Sequence, residues 1–295
     1  MLAWKALFVL GVPSMRTFRA VVMLAFAAAS LSRAIELQVA RQSPFDLEVC
    51  GKLAGVPAGQ SRYVRWEDLR ALPTTKLRLD GEFVKGPQEL TVVFLSDLWN
   101  ALPSSPGADT LLATCGDGYS SIYTSDFISR YKPFLVLEIN GQGPAKWPPP
   151  GLAFNPGPYV ITVSTDLVPA AAGYLDLPHK KPWGTKKIEV AAYAERLSGF
   201  YSGKWASLTP TAAAGREIWI NSCACCHQGP DGQFGGTKSG RPFQVLAAYA
   251  TYDKAFFMKY VRDPKSLVAG AKMEAHPWYT DEQLSHLIEF ITAGN

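Results

Sequence analysis

Hydrophobic and polar positions follow two different periods along this chain, and the change of period divides it. Residues 20–31 (AVVMLAFAAASL) form a nearly unbroken apolar run preceded by Arg16 and Arg19. A run of 12 residues is short for a bilayer span, and a basic start with small residues behind it predicts an export signal over residues 1–34. Ser32-Arg33-Ala34 and Ala27-Ala28-Ala29 both offer a cleavage site, and Met15 is an alternative start. From about residue 44 short strands and turns are predicted. Phe45-Asp46-Leu47-Glu48-Val49 alternates, residues 90–95 lead into Ser96-Asp97-Leu98-Trp99, and residues 186–190 close the region as a strand. Residues 134–139 (FLVLEI) read as a buried strand ended by the Asn140-Gly141 turn, and residues 66–73 as a short helix. Six prolines within residues 144–158 predict an irregular loop. Beyond residue 210 the period becomes helical. Residues 211–221 carry Gly215 and Trp219 at i, i+4, where glycine admits a close helix crossing and the indole fills the gap beside it. Residues 253–262 are amphipathic. Thr280-Asp281-Glu282-Gln283 is a capping-box start for a last helix with Leu284, Leu287, Ile288 and Ile291 along one stripe.

Composition narrows the classes. Hydrophobic residues make up 47% and charged residues 18%, enough apolar material for packed cores and too much for a disordered chain. The formal charge of +4 comes from the N-terminal stretch, where Lys5, Arg16, Arg19 and Arg33 stand without an acid. Removing those four of 29 basic residues leaves 25 against 25 acidic ones. A neutral remainder carries no electrostatic footprint for nucleic acid. Membrane association is expected only if the N-terminal segment is retained.

The strongest chemical signal is Cys223-Ala224-Cys225-Cys226-His227, which contains the C-x-x-C-H spacing of covalent haem c attachment. Two thiols one helical turn apart reach two vinyl groups of one porphyrin, and the adjacent imidazole lies under the iron as axial ligand. Cys223 and Cys226 are therefore predicted haem-binding residues and His227 a metal ligand. A zinc site would need a second Cys/His pair, which Cys50 and Cys115 do not supply.

With the pentad, the Gly215/Trp219 pair, a Met-bearing loop and the last helix in place, residues 211–295 resemble the class I cytochromes c along their whole length. The resemblance implies a sixth ligand from the segment before the last helix. Met273 lies there in a loop, 46 residues after His227, whereas Met258 sits inside the helix of residues 253–262. Met273 is the reading adopted, with His276 as the rival. Glu274 follows Met273 where family members usually carry proline. The resemblance also implies that the carbonyl of Pro242 accepts the His227 ring N–H.

The first region resembles the molybdopterin-binding domain of the sulfite-oxidase family. The residues that carry this are Leu47-Glu48-Val49-Cys50-Gly51, Asp68-Leu69 with Leu72-Pro73, Leu95-Ser96-Asp97-Leu98-Trp99, Gly116-Asp117-Gly118-Tyr119, Glu138-Ile139-Asn140-Gly141, Gly157-Pro158-Tyr159-Val160, and Trp183 with Ile188-Glu189-Val190. Catalytic members ligate molybdenum through a cysteine before the helix that begins here near Leu95, and residues 74–95 contain none. Molybdopterin is therefore not expected. In an exported protein Cys50 and Cys115 can instead pair as a disulfide. Lys180, Lys181, Lys186 and Lys187 read as a solvated basic face, with a docking patch for an acidic partner as the alternative.

The expected fold class is α+β with two domains: a mixed α/β, sulfite-oxidase-like domain over residues 40–190 and an all-α cytochrome c domain over residues 209–295. An aromatic-bearing linker, residues 191–208, joins them, and the haem segment from residue 205 is expected to fold alone. The expected function is periplasmic or otherwise exported electron transfer, with the first domain docking a redox partner protein and no catalytic residue. The alternative is a molybdenum oxidoreductase passing electrons to its own haem.

Overall fold

The computed structural model describes residues 35–80 and 86–294, and the predicted export signal lies outside them. Among the described residues no helix is long and apolar enough to cross a membrane. Strands β1 (Leu47–Gly51) and β2 (Ser61–Val64) lead to helix α1 (Trp66–Arg70). Then follow β3 (Thr75–Asp80), β4 (Pro87–Phe94), α2 (Leu95–Ala101), β5 (Thr110–Cys115), β6 (Ser120–Thr124), α3 (Ser125–Tyr131), β7 (Phe134–Ile139), β8 (Tyr159–Thr162) and β9 (Trp183–Ala191). The remainder is helical: α4 (Tyr193–Arg196), α5 (Pro210–Asn221), α6 (Phe243–Tyr252), α7 (Lys254–Arg262), α8 (Pro264–Leu267) and α9 (Asp281–Thr292).

The nine strands form one sheet in the order β2-β1-β9-β8-β7-β4-β3, with the β5–β6 hairpin on the other edge of β9. Among the described residues only β1 and β9 pair in parallel. Side chains alternate across a strand, so β4 to β9 each feed two cores. On β7, Leu135 and Leu137 enter the core under α1–α3, while Phe134, Val136 and Ile139 enter a core on the opposite face. This explains why FLVLEI is apolar throughout and reads as a buried strand. The Asn140-Gly141 turn takes φ of 51° and 72°, both in the left-handed region that such a hairpin turn requires.

The same alternation overturns the expected fold class. Leu111, Ala113 and Tyr123 of β5 and β6 face the first core, but Leu112 and Ile122, register partners, face the other way. That opposite face is covered by the helices, and Leu112, Ile122 and Ala191 share one core with Trp219, Phe243, Leu287 and Phe290. The protein is thus mixed α/β around one nine-stranded sheet, and no all-α cytochrome c domain stands apart from it. The sequence reading missed this because β5 and β6 carry apolar residues on both faces, which hides the second partner.

Cys50 and Cys115 are free thiols. Residues Lys187 to Val190 of β9 pair with β1 on one side and with β5 on the other, so β9 runs between the two cysteines. Two strand spacings, about 10 Å, exceed the roughly 7 Å Cα limit of a disulfide. The proposed bridge does not form.

Candidate functional site

Helix α5 begins at Pro210, with the Thr209 hydroxyl accepting the Ala212 N–H at 3.1 Å. It crosses α9 at Gly215, where a Cβ would lie 1.9 Å from the His286 carbonyl oxygen. Helix α9 carries the predicted capping box, Thr280 and Gln283 bonding reciprocally, and buries the predicted stripe together with Phe290. Trp219 is 2% exposed and packs on Phe243 with ring centroids 4.9 Å apart.

After Asn221 the helix gives way to a 3₁₀ turn over Cys223–Cys225. The Cys223 carbonyl accepts the Cys226 N–H at 3.1 Å and the His227 N–H at 2.9 Å, which places Cys223, Cys226 and His227 on one turn. Cys223 and Cys226 are half-buried, whereas Cys225 is buried and its sulfur bonds to the Ser222 carbonyl at 2.7 Å. Burial pushes the Cys225 thiol well above its ordinary value. The odd cysteine of the pentad is therefore held inside as a neutral thiol and presents nothing to a partner.

The following loop lies directly on this turn. Gly236 N–H donates to Ala224 O at 2.7 Å and Ser239 N–H to Cys226 O at 3.0 Å. Gly235, at φ 112°, has no room for a side chain, since a Cβ would lie 2.2 Å from His227 O. The sheet reaches the same loop: Thr237 N–H donates to Gly118 O at 2.9 Å, and Lys238 pairs with Asp117 at 3.0 Å.

His227 Nδ1 and Trp219 Nε1 are both buried without a hydrogen-bond partner. The Pro242 carbonyl, the expected acceptor for His227, takes the Val245 and Leu246 N–H groups instead, at 3.1 and 3.4 Å. Burial, with the charges of His276 and Arg241, pushes His227 down to about 4. The ring is then neutral across the physiological range, the form that ligates a metal. Met273 lies in a loop and is half-buried, bordering the same helical core as Cys223. Met258, on α7, also borders that core. Two thiols placed to add to vinyl groups, a neutral imidazole on the same turn and a thioether at the rim of the same core are groups that fit haem c.

His276, the rival ligand, is buried in another cluster. It stacks on His179, with centroids 4.7 Å apart, beside Asp176. Neither Asp176 nor His179 stood out in the sequence, because a single Asp/His pair three residues apart marks no site and its third member, His276, lies about a hundred positions away.

Lys180 departs from the expected solvated run. It is 1% exposed, and its ammonium donates to Ile122 O at 3.0 Å and Asn221 Oδ1 at 3.3 Å, tying the sheet to the last residue of α5. Burial lowers its pKa to about 8 from an ordinary value of 10.5. Between those values the unfolded chain holds more protons than the native one, so stability rises with pH. Unfolding free energy should gain about 2 kcal/mol from Lys180 between pH 8 and 10. Denaturant titrations of wild type and Lys180→Met across that range check this. Parallel pH profiles would contradict it.

No family model matches the chain, and no curated protein matches it.

Proposed function

We propose that this protein is an exported c-type cytochrome that transfers electrons between redox partner proteins. Cys223 and Cys226 would hold the haem through thioethers, and His227 and Met273 would ligate its iron. The observation that carries this reading is the single turn that presents Cys223, Cys226 and a neutral His227 while withdrawing Cys225. When bound, the haem supplies a one-electron Fe(III)/Fe(II) couple, and thioether attachment keeps it from being lost outside the cell. The chain supplies the rest. Trp219, Phe243 and Leu287 exclude water from the helical core, and the Gly235-Gly236 backbone fixes the turn from outside. With the haem bound, the thioether of Met273 would favour the reduced iron and raise its potential. The sheet, with no cysteine in residues 74–95 ahead of α2, serves as a docking and bracing element, without molybdenum chemistry.

Met273 is preferred to His276 because His276 is buried in a separate cluster, stacked on His179, whereas Met273 borders the helical core beside Cys223. The oxidised protein should show the sulfur-to-iron charge-transfer band, which Met273→Ala abolishes and His276→Ala retains. The opposite pattern would reject the ligand assignment.

A further inference from the structure

Three side chains from distant parts of the chain converge beside Ser222. Asp176, His179 and His276 are 1%, 4% and 5% exposed. His179 Nδ1 lies 2.6 Å from Asp176 Oδ1, and His276 Nδ1 lies 3.5 Å from Asp176 Oδ2. The Tyr279 hydroxyl bridges Asp176 Oδ2 at 3.0 Å and Ser222 Oγ at 2.5 Å. Burial alone would raise the Asp176 pKa, but the contacts of His179, His276 and Ser222 outweigh it and hold the carboxyl well below its ordinary range. The cluster therefore encloses a carboxylate charge. Within it, His276 Nδ1 is fully buried and has no hydrogen-bond partner. A buried polar nitrogen aimed at a carboxylate without bonding to it leaves a need that the protein's own groups do not meet.

We propose that Asp176, His179 and His276 form a binding site for one divalent transition-metal ion of the zinc class. One atom from each residue lies within 4.8 Å of the others. Two imidazoles and one carboxylate are a donor set that zinc-class ions prefer and that calcium and magnesium do not. Bonds of about 2.1 Å place tetrahedral ligands about 3.4 Å apart, so the Asp176–His179 contact of 2.6 Å must open while the widest separation closes. The two rings, now 12° from parallel, turn out of their stack to do so. In turning, His179 exchanges its contact with Asp176 for the ion, while Tyr279 remains as the donor that orients the carboxylate. Glu274, largely exposed with Oε2 3.8 Å from His179 Nε2, marks the path from solvent. The ion would pin the stretch of residues 176–179 to that of residues 276–279, and through Tyr279 to Ser222. None of this depends on the haem.

The test is equilibrium dialysis of the untagged full chain against zinc, followed by X-ray absorption at the zinc edge. One equivalent is expected, with a shell of nitrogen and oxygen at about 2.0–2.1 Å that contains two imidazoles. Asp176→Asn and His276→Gln should each weaken binding by about tenfold or more, while His286→Gln should not. Substoichiometric zinc overturns the proposal. So does a shell with sulfur at about 2.3 Å, which would place the ion on the cysteines, or one with fewer than two imidazoles. Unchanged affinity in folded His276→Gln overturns it equally, and should that variant fail to fold, the wild-type shell decides.

Discussion

Gly215→Ala should lower the unfolding free energy by about 2 kcal/mol or more, and Gly215→Val by more again. Two effects compete at this position. Alanine in a helix interior is favoured over glycine by about 1 kcal/mol. Against that, the added Cβ would lie 1.9 Å from His286 O, 2.4 Å from His286 C and 2.9 Å from Leu287 N, all of them backbone atoms of α9. Backbone cannot rotate aside as a side chain can, so one helix must move off the other. Overpacking of this kind typically costs about 1–3 kcal/mol and occasionally more, and here it also opens the contacts of Trp219 and Leu287. Urea titrations of wild type and Gly215→Ala, compared at equal slope, measure the difference. A midpoint equal to or above that of wild type would show that α5 and α9 do not cross as described.

The second large effect concerns a fragment of residues 205–295, which holds every proposed haem ligand and, read from sequence, folds alone. Packing says otherwise. The core around Trp219 also contains Leu197 and Phe200, both 0% exposed, which precede the fragment. It contains Leu112, Ile122 and Ala191 from the sheet as well. Loss of one buried phenylalanine costs about 3–5 kcal/mol, against a whole-domain stability of about 5–15 kcal/mol. Removing Phe200 together with three sheet residues and the Lys180–Asn221 bond exceeds that margin. The fragment should therefore give a broad, uncooperative thermal transition by circular dichroism, whereas the full chain unfolds sharply. A sharp transition in the fragment near the full-chain midpoint would mean that the helices close their core without the sheet.

Local patterns were the readable part of this chain. The capping box at Thr280, the Gly215/Trp219 pair and the β7 run each depend on residues close in sequence, and each appears where its period places it. Interactions set by the sheet were not readable. Leu112 and Ile122 look like ordinary strand residues, and only the opposite orientation of their neighbours shows which face they cover. Lys180 sits among other lysines and reads as solvated, yet the path of the chain after α3 carries it under β6. The pentad itself was plain from spacing. The inward turn of Cys225 was not, because it depends on the carbonyl of Ser222 as the helix ends.

The central claim is covalent attachment of haem at Cys223 and Cys226. The direct measurement is the intact mass of the full chain, made with the haem-attachment machinery and denatured before analysis. The account predicts one haem added to the polypeptide in wild type and in Cys225→Ser, and none in the Cys223→Ser/Cys226→Ser double variant. A wild-type polypeptide without the haem mass, or a double variant that keeps it, would contradict the account.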